Sequence, residues 1–136
     1  MRIEVNDVVV GYDSTVIVDG LTIRIPDGQI TTIIGSNGCG KSTLLKAITR
    51  IIPYQKGQVL LDGTDIHQKS TKALARELAI LPQTQDSAVG LLVEELVSYG
   101  RFPHQSGLST LKKEDKRVIE WAMEATNTLV FRHYSV

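Results

Sequence analysis

Eight consecutive residues have the types and spacing needed to hold phosphate groups. The segment Gly35-Ser36-Asn37-Gly38-Cys39-Gly40-Lys41-Ser42 matches the pattern G-x-x-x-x-G-K-[ST] at every fixed position. Glycines let backbone N–H groups turn toward phosphate oxygens, and the start of a following helix adds positive potential. In this pattern the lysine pairs with the β- and γ-phosphates, and the serine hydroxyl ligates Mg²⁺. The sequence therefore predicts a nucleotide-phosphate site from Gly35 to Thr43, with Lys41 and Ser42 in those two roles.

The chemistry of this loop has alternatives that the sequence leaves open. An ordinary glycine-rich turn is the plain alternative to a phosphate site, although a strand before the loop and a helix after it favour the site. Cys39 is either a small space-filling residue or a reactive thiol, because a helix start and a lysine both stabilise a thiolate.

The hydrophobic pattern predicts the elements that must position the loop. Residues 30–34 form a short, nearly continuous apolar and β-branched run, which is typical of a buried central strand. A helix is expected from Lys41 to Ile52, where Pro53 stops it. Further strands are predicted at 3–10, 21–25, 59–61 and 79–81, and helical segments at 71–78, 89–97 and 118–125.

Strands dominate as far as Pro82, and helices dominate beyond it. The pattern predicts a mixed α/β protein. We expect the nucleotide-binding core at residues 1–83 and the beginning of a helical subdomain at residues 84–136. A loop rich in Gly, Pro and Ser is expected at 101–109.

Composition excludes several classes of protein. The chain has 136 residues, with 15 basic and 15 acidic side chains, so its zero formal charge argues against nucleic-acid binding. No apolar run approaches the roughly 20 residues of a membrane span, and the first residues do not resemble a secretory signal. The single cysteine excludes an intramolecular disulfide and a multi-cysteine metal site. A cytosolic location is expected.

With these residues in view, the chain resembles an ATPase subunit of an ABC transporter over essentially its whole length. Tyr12, in Gly11-Tyr12-Asp13, matches the aromatic residue that stacks on adenine in that family, although a half-buried tyrosine at a strand end is the plain alternative. Gln83, after Leu81-Pro82, matches the Q-loop glutamine. The resemblance implies a P-loop NTPase (RecA-like) core with an antiparallel β region. It also implies that Gln83 reaches the metal and the attacking water, and couples the nucleotide to the membrane partner.

A longer stretch narrows the resemblance to one branch of the family. Residues 95–104, Glu-Leu-Val-Ser-Tyr-Gly-Arg-Phe-Pro-His, look like the segment after the Q-loop in ATPases that import iron–siderophore complexes and, in close relatives, cobalamin or haem. One position departs from that pattern, because Leu92 stands where a threonine is common at the helix start. The resemblance also implies that the surface from Gln83 to about His104 faces the membrane subunit.

The family's hydrolytic elements do not occur in this chain. A Leu-Ser-Gly-Gly-Gln segment is absent, and no four-residue apolar strand ends in Asp-Glu. Glu94 and Glu95 come nearest, but the helical spacing around them predicts a surface pair on a helix. The chain therefore resembles a truncated N-terminal portion. We expect it to bind ATP and Mg²⁺ weakly, to turn over no ATP alone, and to expose a sheet edge that favours self-association.

The resemblance implies three partners: a membrane permease, a second ATPase subunit forming a homodimer or pair, and an extracytoplasmic substrate-binding protein reached through the permease. It places the chain peripherally on the cytoplasmic face of the membrane. Three alternatives remain: an ABC ATPase for another substrate, a small P-loop kinase, and a non-catalytic nucleotide-binding module. A kinase would need clustered arginines, whereas the arginines here are dispersed.

Overall fold

The computed structural model describes residues 2–83, 90–107 and 110–136 of the chain. These residues divide into two compact units, Met1–Ala79 and Ile80–Val136. The predicted domain boundary at residue 83, based on the change from strands to helices, stays a prediction. No helix of the described ranges is long and apolar enough to cross a membrane.

The first unit is built on a four-stranded antiparallel sheet. Its strands are β1 (Ile3–Tyr12), β2 (Thr15–Ile25), β3 (Lys56–Leu61) and β4 (Thr64–Asp65), in the order β2-β1-β3-β4. Strand β1 lies between two partners, so that Val5 pairs with Ile23 on one side and with Val59 on the other. The α/β class with an antiparallel β region is thus confirmed.

Two helices complete this unit, α1 (Lys41–Ile48) and α2 (Thr71–Glu77). Helix α1 contacts β1 and β2 and buries Leu44, Ala47 and Ile48. Its buried face repeats at three and four residues, as an amphipathic helix requires. The core around it comprises Val5, Val8, Val10, Val18, Val59, Leu61, Ile66 and Leu74. Each such side chain stabilises the fold by roughly 1.5–3 kcal/mol when fully buried, so the sheet anchors the helix that follows the phosphate loop.

The predicted central strand at 30–34 is wrong. These residues form no strand, and the side chains of Ile30 and Ile34 are 98% and 86% exposed. The predicted strand at 79–81 is absent as well. A strand forms only where neighbouring strands satisfy its N–H and C=O groups, and no strand of the described ranges pairs with either segment. Apolar character alone could not supply that partner.

Helix α1 ends earlier than Pro53 predicts. Arg50 adopts a left-handed backbone with φ +59°, and the Ile51 N–H donates to the Lys46 carbonyl oxygen at 2.8 Å. This hydrogen bond spans five positions instead of the four of a regular helix, as in a Schellman motif, and it closes the C-terminal end of α1. The local turn therefore stops α1 at Ile48, well before the proline.

The second unit contains α3 (Val93–Ser98), a 3₁₀ turn at Tyr99–His104, α4 (Lys113–Ala125) and a 3₁₀ turn at Leu129–Phe131. Residues 84–89, including the predicted helix start at Val89, lie outside the described residues, as do residues 108–109 of the predicted loop. The first part of that loop is the 3₁₀ turn. The prediction that Glu94 and Glu95 lie on a helix is confirmed, because both are in the first turn of α3.

Helix α4 buries one stripe of side chains, Asp115, Ile119 and Met123, while Trp121 is exposed.

The start of α3, which lacks the threonine common in this position, is capped by a different side chain. The Glu95 carboxylate accepts the Leu92 backbone N–H at 2.8 Å, which is half of a capping box.

Candidate functional site

The phosphate loop lies between residue 34 and α1, and two of its glycines have backbones that other residues rarely adopt. Gly38 has φ +82° and Gly40 has φ +96°. A Cβ at Gly40 would lie 3.0 Å from Ile17 Cγ2 and 3.2 Å from Val18 Cγ2. Glycine at position 40 therefore lets the loop turn sharply while it packs against β2.

The loop ends at the start of α1, which exposes backbone donors. Gly40 is the N-cap, and the first intrahelical bond runs from the Leu44 N–H to the Gly40 carbonyl oxygen at 2.8 Å. The N–H groups of Lys41, Ser42 and Thr43 precede that bond, so helix geometry leaves them without intrahelical acceptors. These donors and the helix dipole together favour an anion at this point.

Lys41 folds back over the loop. Its Nζ donates to the Gly35 carbonyl oxygen at 2.8 Å and to the Ser36 carbonyl oxygen at 2.7 Å. Both acceptors are neutral backbone groups on an exposed loop, so neither of them offsets the positive charge of Lys41. A phosphate oxygen can replace these carbonyls because a charge-assisted hydrogen bond is stronger than a neutral one.

Cys39 lies against the same lysine. Its Sγ is 3.6 Å from Lys41 Nζ, and a Cβ at Gly35 would lie 2.6 Å from the sulfur. The sulfur thus fills space that a side chain at position 35 would need, yet Cys39 is exposed to solvent. Both interpretations of Cys39, a space-filling residue and an accessible thiol, are compatible with this position.

Tyr12 belongs to the same unit as the loop. It is the last residue of β1, pairs with Thr15 across the hairpin, and is 47% exposed. A ring with half its surface exposed can stack on a base without rearrangement of the core. Its stacking role stays a prediction.

Gln83 belongs to the second unit and is exposed. Residues 84–89, which follow it in the predicted Q-loop, lie outside the described residues. Its predicted contact with the metal and the attacking water stays a prediction.

Arg50 is a structural residue of the same unit that sequence reasoning missed. Its NH1 donates to the carbonyl oxygens of Ile66 and Lys69 at 2.8 and 2.7 Å, and its NH2 donates to Thr71 Oγ1 at 2.8 Å. The guanidinium therefore ties the end of α1 to the segment that leads into α2. Arginines are common near helix C-termini, so nothing in the sequence distinguished Arg50 from the others.

The two candidate carboxylates of α3, Glu94 and Glu95, both make structural hydrogen bonds. Glu94 accepts two hydrogen bonds from Arg132, at 3.0 and 3.1 Å, and this pairing holds the pKa of Glu94 below its ordinary range. Glu95 caps the Leu92 N–H. Within the described ranges, no group of three or more His, Cys, Asp or Glu side chains could hold a metal ion.

The donor set fits a magnesium nucleotide. Exposed backbone donors at a helix start, a lysine held at the loop and the exposed Ser42 hydroxyl are the groups that a nucleotide phosphate and its Mg²⁺ require. Comparison with known proteins decides the family. A family model described as ABC transporter matches residues 18–136. The chain belongs to the ABC transporter family.

Similar curated proteins carry related names. The chain is 57% identical over 117 residues to the iron(3+)-hydroxamate import ATP-binding protein FhuC of Bacillus subtilis, covering 86% of this chain and 44% of that protein. It is 48% identical over 122 residues to the achromobactin transport ATP-binding protein CbrD of Dickeya dadantii, covering 90% of this chain and 45% of that protein. For the ferric enterobactin transport ATP-binding protein FepC of Escherichia coli, the identity is 40% over 125 residues, covering 92% and 46%. This chain thus spans less than half the length of these relatives.

Solved structures show the same fold. An ATP-binding subunit of an ABC transporter superposes with a TM-score of 0.80 at 23% identity, covering 99% of this chain and 54% of that one. The cbiO1 subunit from Clostridium perfringens, part of the ABC transporter complex cbiONQ, gives 0.79 at 22% identity, covering 98% and 53%. The family predicted from the phosphate loop and the segments after it is confirmed.

Proposed function

We propose that this chain is the nucleotide-binding part of the ATPase subunit of an ABC importer for iron–siderophore complexes. The observation that carries the proposal is the phosphate loop, where Lys41, two left-handed glycines and the open start of α1 converge. The names of the relatives, which include hydroxamate, achromobactin and enterobactin transport, support the substrate class.

Bound ATP would supply a cleavable γ-phosphate, and the chain's own residues would hold it. Lys41 exchanges its two carbonyl acceptors for phosphate oxygens, while the N–H groups of residues 41–43 donate to the same anion. Ser42 would ligate Mg²⁺, and Gln83, by the family resemblance, would contribute to the metal shell. Tyr12 stacks on the adenine.

Transport requires partners beyond this chain. We infer a membrane permease, a second ATPase subunit as a homodimer or pair, and a substrate-binding protein that acts through the permease. The chain would then lie peripherally on the cytoplasmic face of the membrane. Glu94 and Glu95 are both engaged in structural contacts, and the sequence motifs offer no other candidate for a carboxylate that polarises water, so we expect the chain alone not to hydrolyse ATP.

The proposal is tested by calorimetric titration of the chain with MgATP. Lys41→Ala should weaken binding by roughly 1.5–3 kcal/mol, because it removes a charge-assisted contact to the phosphates. Lys46→Ala is the matched control, since it removes one exposed positive charge from the same helix. Equal MgATP affinities in the parent chain and Lys41→Ala would overturn the proposal.

A further inference from the structure

Asp115 is an unusual residue in the second unit, because it is a charged side chain inside a buried stripe. Its exposure is 4%, and it is the one buried charged or polar residue of the described ranges. Its neighbours on the same face of α4 are Ile119 and Met123. Burial of a carboxylate is costly unless hydrogen bonds compensate it, so its partners indicate why it is there.

The two carboxylate oxygens of Asp115 serve different elements. Oδ2 accepts the Lys112 backbone N–H at 2.9 Å and thereby caps the start of α4. Oδ1 accepts Arg101 Nε–H at 2.8 Å, across 14 positions of sequence. The Arg101 side chain is itself only 16% exposed. The hydrogen bond from Arg101 also lowers the pKa of Asp115, so the pair is ionic at neutral pH.

Arg101 lies in the 3₁₀ turn Tyr99–His104, which has no buried side chain to anchor it. Tyr99 and Phe102 are 58% and 75% exposed. Short 3₁₀ turns have poor hydrogen-bond geometry, so contacts outside the turn matter for holding it in place. The ionic contact with Asp115 ties Arg101, and with it the turn, to α4.

We infer that Asp115, acting through Arg101, is a positioning residue that fixes the turn 99–104 and the direction of its exposed aromatic side chains. A buried ion pair often adds little net stability compared with apolar residues, and its better-supported effect is to select one arrangement. The turn lies within the segment from Gln83 to about His104, which the resemblance to ABC ATPases implies faces the membrane subunit, and only this link to the subunit rests on the proposed function. Tyr99 and Phe102 would then be presented to that subunit in one orientation.

Limited proteolysis with trypsin tests the inference on the whole chain, without partner or nucleotide. Trypsin cleaves after arginine, and in the native chain the Arg101 side chain is held by Asp115. Asp115→Asn keeps an oxygen for the Lys112 N–H but loses the charge that binds Arg101. Cleavage after Arg101 should become several-fold faster in this variant.

Glu114→Gln is the matched control, because Glu114 is an exposed carboxylate in the same first turn of α4. It should leave cleavage after Arg101 unchanged. Cleavage after Arg117, within α4 itself, reports unfolding of the whole unit and should also stay unchanged in Asp115→Asn. Arg101→Lys provides a second variant, since it keeps a trypsin site but lacks the Nε–H that donates to Asp115, and cleavage after position 101, relative to cleavage of the same bond in the unfolded chain, should again accelerate.

Unchanged cleavage after position 101 in both variants would overturn the positioning role. A parallel increase at positions 101 and 117 would overturn it too, because Asp115 would then be a general stabiliser of the unit. Neither result bears on MgATP binding by the phosphate loop, so failure of this inference is distinguishable from failure of the proposed function.

Discussion

A methyl group added at Gly40 of the phosphate loop would separate backbone strain from crowding. Gly40 has φ +96°, and its added Cβ would lie 3.0 Å from Ile17 Cγ2 and 3.3 Å from the Ile17 carbonyl oxygen. Gly38 has a similar φ of +82°, but a Cβ there would meet no atom within 4 Å. The two glycines are thus a matched pair, alike in their left-handed backbone and different in their surroundings.

The expected magnitudes follow from this difference. A non-glycine residue in the left-handed region costs roughly 1–2 kcal/mol, and this cost applies to Gly38→Ala and to Gly40→Ala. Overpacking against β2 adds roughly 1–3 kcal/mol at position 40 alone. We therefore expect Gly40→Ala to lower the free energy of unfolding by about 2–5 kcal/mol, and Gly38→Ala by about 1–2 kcal/mol.

Urea denaturation followed by far-ultraviolet circular dichroism measures both variants against the parent chain. The urea midpoint should fall in the order parent, Gly38→Ala, Gly40→Ala. Equal losses in the two variants would refute the packing of the loop against β2. No loss in either variant would refute the left-handed backbone of the loop.

Two further predictions concern Tyr12 of the first unit and Glu94 of the second. Tyr12→Ala should weaken ATP and GTP binding alike by roughly 1–3 kcal/mol, whereas Tyr12→Phe should bind as the parent does, since stacking needs only the ring; calorimetric loss of binding in Tyr12→Phe would contradict stacking. The pKa of Glu94 is lowered in the folded chain by its hydrogen bonds from Arg132, so the pair stabilises the fold above the ordinary glutamate pKa, and this contribution is lost as the pH falls below about 4. Because Glu94 is more than a third exposed, solvent screening limits the effect to below about 1 kcal/mol. Urea unfolding followed by Trp121 fluorescence at neutral and acid pH should show a smaller acid loss in Glu94→Gln than in the parent, and an equal loss would contradict it.

The accuracy of the sequence-based predictions follows the range of the interactions concerned. The start of α1 at Lys41 was predicted correctly, because a glycine-rich loop followed by a helix start is a local requirement. The strands at 3–10 and 21–25 were also predicted, since a β-branched run marks β1 and period-two alternation marks the end of β2. The end of α1 was predicted from Pro53, but the left-handed Arg50 ends the helix first, and arginine carries no marker for that conformation.

The amino-acid sequence was sufficient to predict the family, because the family's motifs are short runs of residue types at fixed spacing, from the loop at 35–42 to the segment at 95–104. The tertiary structure alone decided which apolar runs become strands, and residues 30–34 have no partner strand in the described ranges. It also decided that Arg50 would hold the segment 66–71 and that Asp115 would bind Arg101. These outcomes depend on residues distant in sequence meeting in space, and hydrophobic periodicity contains no information on which partners meet.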